Sequence, residues 1–210
     1  MATFLVDFPA KDMERRVGDA LSVYVDAMRY PKGTENQRAA MWLEHTRRPG
    51  WQAVAALELR ADPADGTPSP EELSSAPLVG IAYGYPGAPG QWWQQQVVLG
   101  LQRSGFPAHA IDRLMTSYFE LTELHIQPRV QGRGLGEALA RRLLAGRGEG
   151  NVLLSTPETN GEANRAWRLY RRLGFSDVLR SYYFAGDPRA FAILGRALPL
   201  TPKSPTSPGQ

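Results

Sequence analysis

The segment Gln131-Gly132-Arg133-Gly134-Leu135-Gly136 constrains this chain more than any other. It follows a β-prone run, Tyr118 to Ile126, that stops at Pro128. It precedes a helical pattern, Gly134 to Ala145, in which Leu135, Ala138, Leu139 and Leu143 share a face. Glycines at alternate positions let main-chain N–H groups approach an anion with no Cβ in the way. A helix starting there adds its positive dipole end and unpaired amides, and Arg133 adds a cation. The segment therefore predicts a phosphate-holding bend, although a flexible turn before an ordinary helix explains the hexapeptide alone equally well. Two other phosphate motifs do not fit. Gly-Lys followed by Ser or Thr occurs nowhere, and the dinucleotide fingerprint would need glycine at 137, where Glu stands.

The rest of the chain alternates two periodicities. Residues 2–8 are β-prone, and Asp12 to Met28 carries Val17, Ala20, Leu21, Tyr24, Val25 and Met28 at helical spacing. Tyr30-Pro31-Lys32-Gly33 breaks that helix, and a second follows over about 35–47. Trp51 to Leu59 and Leu78 to Tyr85 are predicted strands flanking a surface loop over 60–76. Within 87–116, WWQQQVVLGLQRSG and PAHAIDRLM predict two short helices divided at Gly105-Phe106-Pro107. The apolar stripe of the first (Trp92, Trp93, Val97, Val98, Leu101) suits core, a subunit contact or a lid. After the fourth strand (118–126) come the helix at 134–145 and a buried strand at 151–156. A helix opened by a Thr159/Glu162 capping box then runs to Leu173, ahead of strands at 175–184 and 190–198. The order predicts an α/β fold, a central mixed sheet flanked by helices, with a helical insertion before the fourth strand. One domain over 1–199 and a disordered Pro/Ser-rich tail over 200–210 are expected.

Composition narrows the chemistry. Without cysteine there is no disulfide, thiolate metal site or cysteine nucleophile, and His45, His109 and His125 lack ligand spacing, so no metal is expected. The net charge of +3 is carried mostly by scattered arginines, with lysine only at 11, 32 and 203 and no recognition motif, so nucleic acid is not an expected partner. No apolar run approaches the roughly 20 residues of a membrane span, and the N-terminus lacks the basic region of a signal peptide. A cytoplasmic protein is expected.

The hexapeptide also fits Q/R-x-x-G-x-G/A, and its neighbours extend the match. Leu124-His125-Ile126-Gln127-Pro128 resembles L-x-V-x-P, and Asn164 to Phe175 (NRAWRLYRRLGF) resembles N-x-x-A-x-x-L-Y-x-x-L-G-F. In that order and spacing the three patterns resemble the GNAT (general amine N-acetyltransferase) superfamily, strongly over 118–185 and loosely over 2–198, in an actinobacterial type. The segment 87–116 is longer than the hairpin usual there, so the acceptor side does not transfer.

The resemblance implies an acyltransferase with acetyl-CoA as co-substrate and an amine acceptor, reacting by direct attack in a ternary complex. Backbone amides of Gln131, Gly132, Arg133, Gly134, Leu135 and Gly136 would hold the CoA diphosphate. Main chain at Leu124 and Ile126 would hydrogen-bond the pantetheine arm and polarise the thioester carbonyl. Tyr170 would donate a proton to the departing thiolate, although its helical position also suits a core residue. Asn164 would contact the pantetheine, or simply occupy the first turn of its helix. For the acceptor's proton the candidates are Glu120 and Glu123. Strand alternation puts them on opposite faces, with Glu123 sharing the face of His125. The acceptor reading leans to a protein lysine, with a small amine or a CoA-binding sensor as alternatives, and a homodimer is left open.

Overall fold

The computed structural model describes residues 1–59, 68–159 and 164–200. In chain order they form β1 (Ala2–Asp7), α1 (Ala10–Met28), α2 (Thr34–His45), β2 (Gln52–Leu59), α3 (Pro70–Ser75) and β3 (Leu78–Pro86). There follow α4 (Trp92–Arg103), α5 (Ala108–Met115), β4 (Tyr118–Ile126), a 3-10 turn at Pro128–Val130, and α6 (Leu135–Leu143). β5 (Asn151–Pro157), α7 (Arg165–Arg172), β6 (Ser176–Tyr182) and β7 (Phe191–Ala197) complete the fold. The strands make one mixed sheet of seven in the order β1-β2-β3-β4-β5-β7-β6, with β4 and β5 the parallel pair.

Both faces of the sheet are covered because β2, β3 and β4 are apolar on both sides. Val54, Ala56, Val79, Ala82 and Phe119 pack with Leu139 and Leu143 of α6 and Trp167 and Tyr170 of α7. On the opposite face, Ala55, Leu57, Ile81, Tyr83 and Tyr85 pack under α1 and α2. Farther along that face Trp93, Val97, Leu101, Ile111 and Met115 of α4 and α5 cover Leu153 and Ile193. The stripe of α4 is thus core, while Trp92 remains 52% exposed.

Three features depart from the sequence expectations. The span 60–76 is not all loop. Ser69 and Glu72 make a reciprocal capping box that starts α3, with Glu72 N–H to Ser69 Oγ at 3.2 Å and Ser69 N–H to the Glu72 carboxylate at 2.8 Å. α7 starts at Arg165, capped by Asn164; Glu162 of the expected box lies outside the described residues, as do 60–67 and the tail from 201. Leu200, assigned to the tail, packs against the core.

A further departure shapes the site. Along β3 and β4 the register pairs Tyr83 with Glu123 but Gly84 with Leu121, so β4 carries an extra residue, Thr122, in a bulge. Directly opposed residues share a face, and Tyr83 and Tyr85 are two apart on one strand. Glu123, opposite Tyr83, and Glu120, opposite Tyr85, therefore lie on the same face, not on opposite ones. Simple alternation fails here because a bulge resets the period.

Gly84 makes the bulge possible. A Cβ there would stand 2.1 Å from the Glu120 carbonyl oxygen and 2.5 Å from the Phe119 ring. Gly84→Ala is expected to destabilise the protein by about 2 kcal/mol or more, the range of overpacked cores, as read from the urea midpoint. A midpoint equal to wild type would show that the bulge has room to spare.

Candidate active site

β4 and β5 pair only through Tyr118–Asn151, Phe119–Val152 and Glu120–Leu153. Beyond Glu120 the strands part, and the edge of β4 from Leu121 to Ile126 faces no partner strand on that side. The amide of Gln127 donates to Val79 of β3 at 2.9 Å. By antiparallel alternation the N–H and C=O groups of Leu124 and Ile126 then point the other way, into the opening. The Ile126 carbonyl is already taken, accepting from the Gln131 side-chain amide at 2.9 Å. Its N–H is left to act.

The predicted bend closes one end of this opening. Gly132 and Gly134 sit at φ +83° and +79°, where a side chain would be strained, and α6 starts directly after Gly134. Among the described residues, no N–H of residues 132–136 donates to any acceptor, whereas Ala138 already bonds to the Gly134 carbonyl at 3.0 Å. Consecutive unfilled amides at a helix N-terminus fit a diphosphate in charge and donor count. Gln131 ties the bend to its surroundings, since its side-chain oxygen accepts from Arg165 of α7 at 3.0 Å. Arg133 is exposed beside the bend.

From the α7 side comes Tyr170, 7% exposed, its ring 5.7 Å from Phe175. Its hydroxyl makes no hydrogen bond among the described residues. Burial, and then the negative charge of Glu123, push its ionisation up, so it stays a neutral donor. Its ring is core, and its hydroxyl is unengaged among the described residues. Asn164 acts as the helix cap, its side-chain oxygen accepting from Ala166 N–H at 2.9 Å.

From the other face come the carboxylates. Glu123 holds His125 Nε2 at 2.5 Å, and the imidazole lies edge-on to Tyr24, 4.9 Å between centroids. Burial and then the Glu123 charge also raise the ionisation of Tyr24 and Tyr83. Glu123 is thus felt from α1, from β3 and, across the opening, from Tyr170. Glu120 is 4% exposed, and its Oε2 is buried with no hydrogen-bond partner. Burial pushes its pKa up to about 8; Arg48 opposes the rise and Glu123 adds to it. A carboxylate poised near neutrality, with an open acceptor oxygen, suits proton transfer.

Sequence reasoning missed the wall behind these carboxylates. His45 of α2 meets the Tyr83 hydroxyl at 3.0 Å, and burial lowers its pKa to about 4, so it is neutral. Trp42 packs against Tyr83, 5.0 Å between centroids, and Arg48 lies over Tyr85. The signals were present: Trp42 and His45 three apart on a helix, Tyr83 and Tyr85 two apart on a strand. Nothing in the sequence said that those two faces meet. Among the described residues no group of three or more His, Asp or Glu could hold a metal ion.

An opened parallel strand pair with a helix N-terminus at its mouth defines a class, the acyltransferases that draw on CoA. Relatives bear this out. Over 206 residues, covering 95% of this chain and all of the relative, the chain is 78% identical to a GCN5-like protein acetyltransferase of Mycobacterium tuberculosis. The family described as FR47-like protein matches residues 98–184. Arabidopsis thaliana NAA60 in complex with acetyl-CoA superimposes with a TM-score of 0.58 at 16% identity, over 94% of this chain and 99% of that one. The Salmonella typhimurium protein yncA, with its cofactor acetyl-CoA, gives 0.54 at 15% identity over 99% of each chain. This chain belongs to the GNAT family, in its GCN5-like branch, and is an acetyltransferase that uses acetyl-CoA. No helix among the described residues is long and apolar enough to cross a membrane.

The environment of Glu120 has a consequence for stability. Its folded pKa of about 8 lies above its ordinary value of 4.5, so between those two pH values the folded state holds a proton that the unfolded state has lost. Stability attributable to this group therefore falls as pH rises through that window. Glu120→Gln is expected to raise the melting temperature at pH 8 by several degrees and to change it little at pH 4. Equal shifts at both pH values, measured by scanning calorimetry, would contradict the account.

Proposed function

We propose that this chain transfers the acetyl group of acetyl-CoA to a primary amine of a protein, a lysine side chain, by direct attack while donor and acceptor are both bound. The observation that carries the reading is the parting of β4 from β5, with unfilled amides at one end and Glu120, Glu123 and Tyr170 around its middle. The printed name of the mycobacterial relative, a protein acetyltransferase, supports a protein acceptor.

When bound, the donor supplies a thioester carbonyl as electrophile. The amides from Gly132 to Gly136, with Arg133 beside them, hold the diphosphate, while the Gln131 N–H donates to the Pro128 carbonyl at 3.3 Å, and Leu135 opens the helix whose dipole faces the ligand. Leu124 and Ile126 line up the pantetheine arm through main-chain groups, and the Ile126 N–H stabilises negative charge as it develops on the carbonyl oxygen. Asn164 fixes the start of α7 and thereby the height of Tyr170.

The incoming ammonium is attracted by Glu123 and gives its proton to Glu120, directly or through one water. As the nitrogen bonds to the carbonyl carbon and the carbon–sulfur bond breaks, the Tyr170 hydroxyl passes its proton to the sulfur, and the second proton, shed by the nitrogen as it becomes an amide, returns through solvent to the tyrosine. Every step is an acid–base or positioning role of this chain's own residues, and no covalent enzyme intermediate is involved.

Two variants test the assignment. Tyr170→Phe is expected to lower kcat about a hundredfold, the scale of general acid catalysis, with the acetyl-CoA dissociation constant unchanged. Gly134→Val is expected to weaken acetyl-CoA binding by at least about tenfold, because it strains the bend that offers the amides. Thiol release measured with lysine peptides and with small amines reads the acceptor. Turnover with small amines alone would sink the protein-lysine reading, and full activity of Tyr170→Phe would remove the acid from that residue.

A further inference from the structure

Arg48 is not explained by the roles assigned so far. It sits in the turn that joins α2 to β2, and that turn is held firmly. Arg48 N–H donates to the His45 carbonyl at 3.0 Å, and Trp51 N–H donates to the Arg48 carbonyl at 3.1 Å. The turn also seats on the end of β3, where a Cβ on Gly50 would come 2.7 Å from the Pro86 ring. From this base the side chain reaches over Tyr85, its guanidinium carbon 4.4 Å from the ring centroid. Tyr85 is the cross-strand partner of Glu120. Yet Arg48 forms no ion pair with Glu120 or with any other carboxylate among the described residues, and its charge is felt at Glu120, Tyr85, Tyr118 and His45.

We propose that Arg48 is a positioning residue for the proton acceptor: a cation seated on the ring of Tyr85, the cross-strand partner of Glu120, that favours the ionised carboxylate without pairing with it. The inference rests on Glu120 being the base.

The placement matters because both simpler arrangements fail. A guanidinium in contact would hold the carboxyl below its ordinary range and make it too weak a base for an ammonium. With no cation nearby, burial would keep the carboxyl protonated at neutral pH and unable to accept anything. A cation held on the neighbouring ring, without an ion pair, gives the intermediate strength that base catalysis near neutral pH requires.

Among the described residues, no cation other than Arg48 is felt at Glu120. Glu123 on its own strand opposes ionisation. Tyr83 and Tyr85 from β3 and Tyr118 from β4 are neutral phenols with raised ionisation. His45 from α2 is neutral, and Tyr24 from α1 faces Glu123. The polar contribution of α4 is Gln94, whose side chain accepts from the Tyr118 hydroxyl at 3.1 Å.

The test is the pH profile of kcat/KM for the amine, from pH 6 to 9.5 at saturating acetyl-CoA, in the full chain. Arg48→Gln is expected to move the acid limb upward by about one pH unit, a roughly tenfold loss at pH 7 that largely disappears by pH 9.5. Arg48→Met, which keeps the aliphatic stem on Tyr85, should move it equally, and Arg48→Lys should leave it near wild type. A limb that stays in place, or a loss of the same size at every pH, overturns the proposal. Glu120→Gln separates the two layers of inference. If the limb survives in that variant, Glu120 is not the base and the underlying assignment fails. If it vanishes there but does not move in Arg48→Gln, the inference about Arg48 alone fails.

Discussion

The extra residue in β4 is the constraint on which the rest of the site depends. Without it, Glu120 and Glu123 would stand on opposite faces of the sheet, one of them against the packing of α6 and α7. With it, both carboxylates reach the same face, backed by the aromatic side chains of α1, α2 and β3. The same irregularity lies at the point where β4 turns away from β5. One local distortion thus sets the face of the two carboxylates and accompanies the opening beside them, and it is tolerated because position 84 is glycine.

Electrostatics follow from that geometry. A carboxylate carried into an apolar layer loses water and holds its proton, which is what has happened to Glu120. Glu123 instead meets His125 Nε2 at 2.5 Å. Two acidic side chains a few residues apart are therefore given different surroundings, one with a buried oxygen that has no partner and the other against an imidazole. The phenols around them are all kept neutral by burial. The buried unpartnered oxygen of Glu120 costs stability that a neutral side chain would not, which is the usual mark of a group retained for chemistry.

Much of this was legible in the sequence, for physical reasons. The period of the apolar residues gave the helices and strands wherever one face is buried, as in α1 and β4. The glycine bend was legible because few residue types permit positive φ beside exposed amides. The two helices between β3 and β4 were legible from their stripes and from the Gly105-Phe106-Pro107 break. What was not legible depends on tertiary contact. The side of Glu120 hinges on a register shift set by the neighbouring strand, which leaves no trace in the local pattern. Asn164 takes the cap that Thr159 and Glu162 advertise on spacing alone. The aromatic wall, with Trp42, His45, Tyr83 and Tyr85, comes from three elements whose meeting no single segment encodes.

The narrow join between β4 and β5 has a mechanical consequence. Four strands on one side and three on the other are stitched together by three residue pairs at one end, while α6 and α7 bind the two halves only from one face. A seam closed at one end behaves like a clothes-peg: small rotations at the stitch become larger changes of width at the far lip, where the glycine bend lies. A molecule threaded along the gap and bonded to the bare edge of β4 acts as a substitute strand. It stiffens the sheet while it is present, and the sheet loosens again when it leaves.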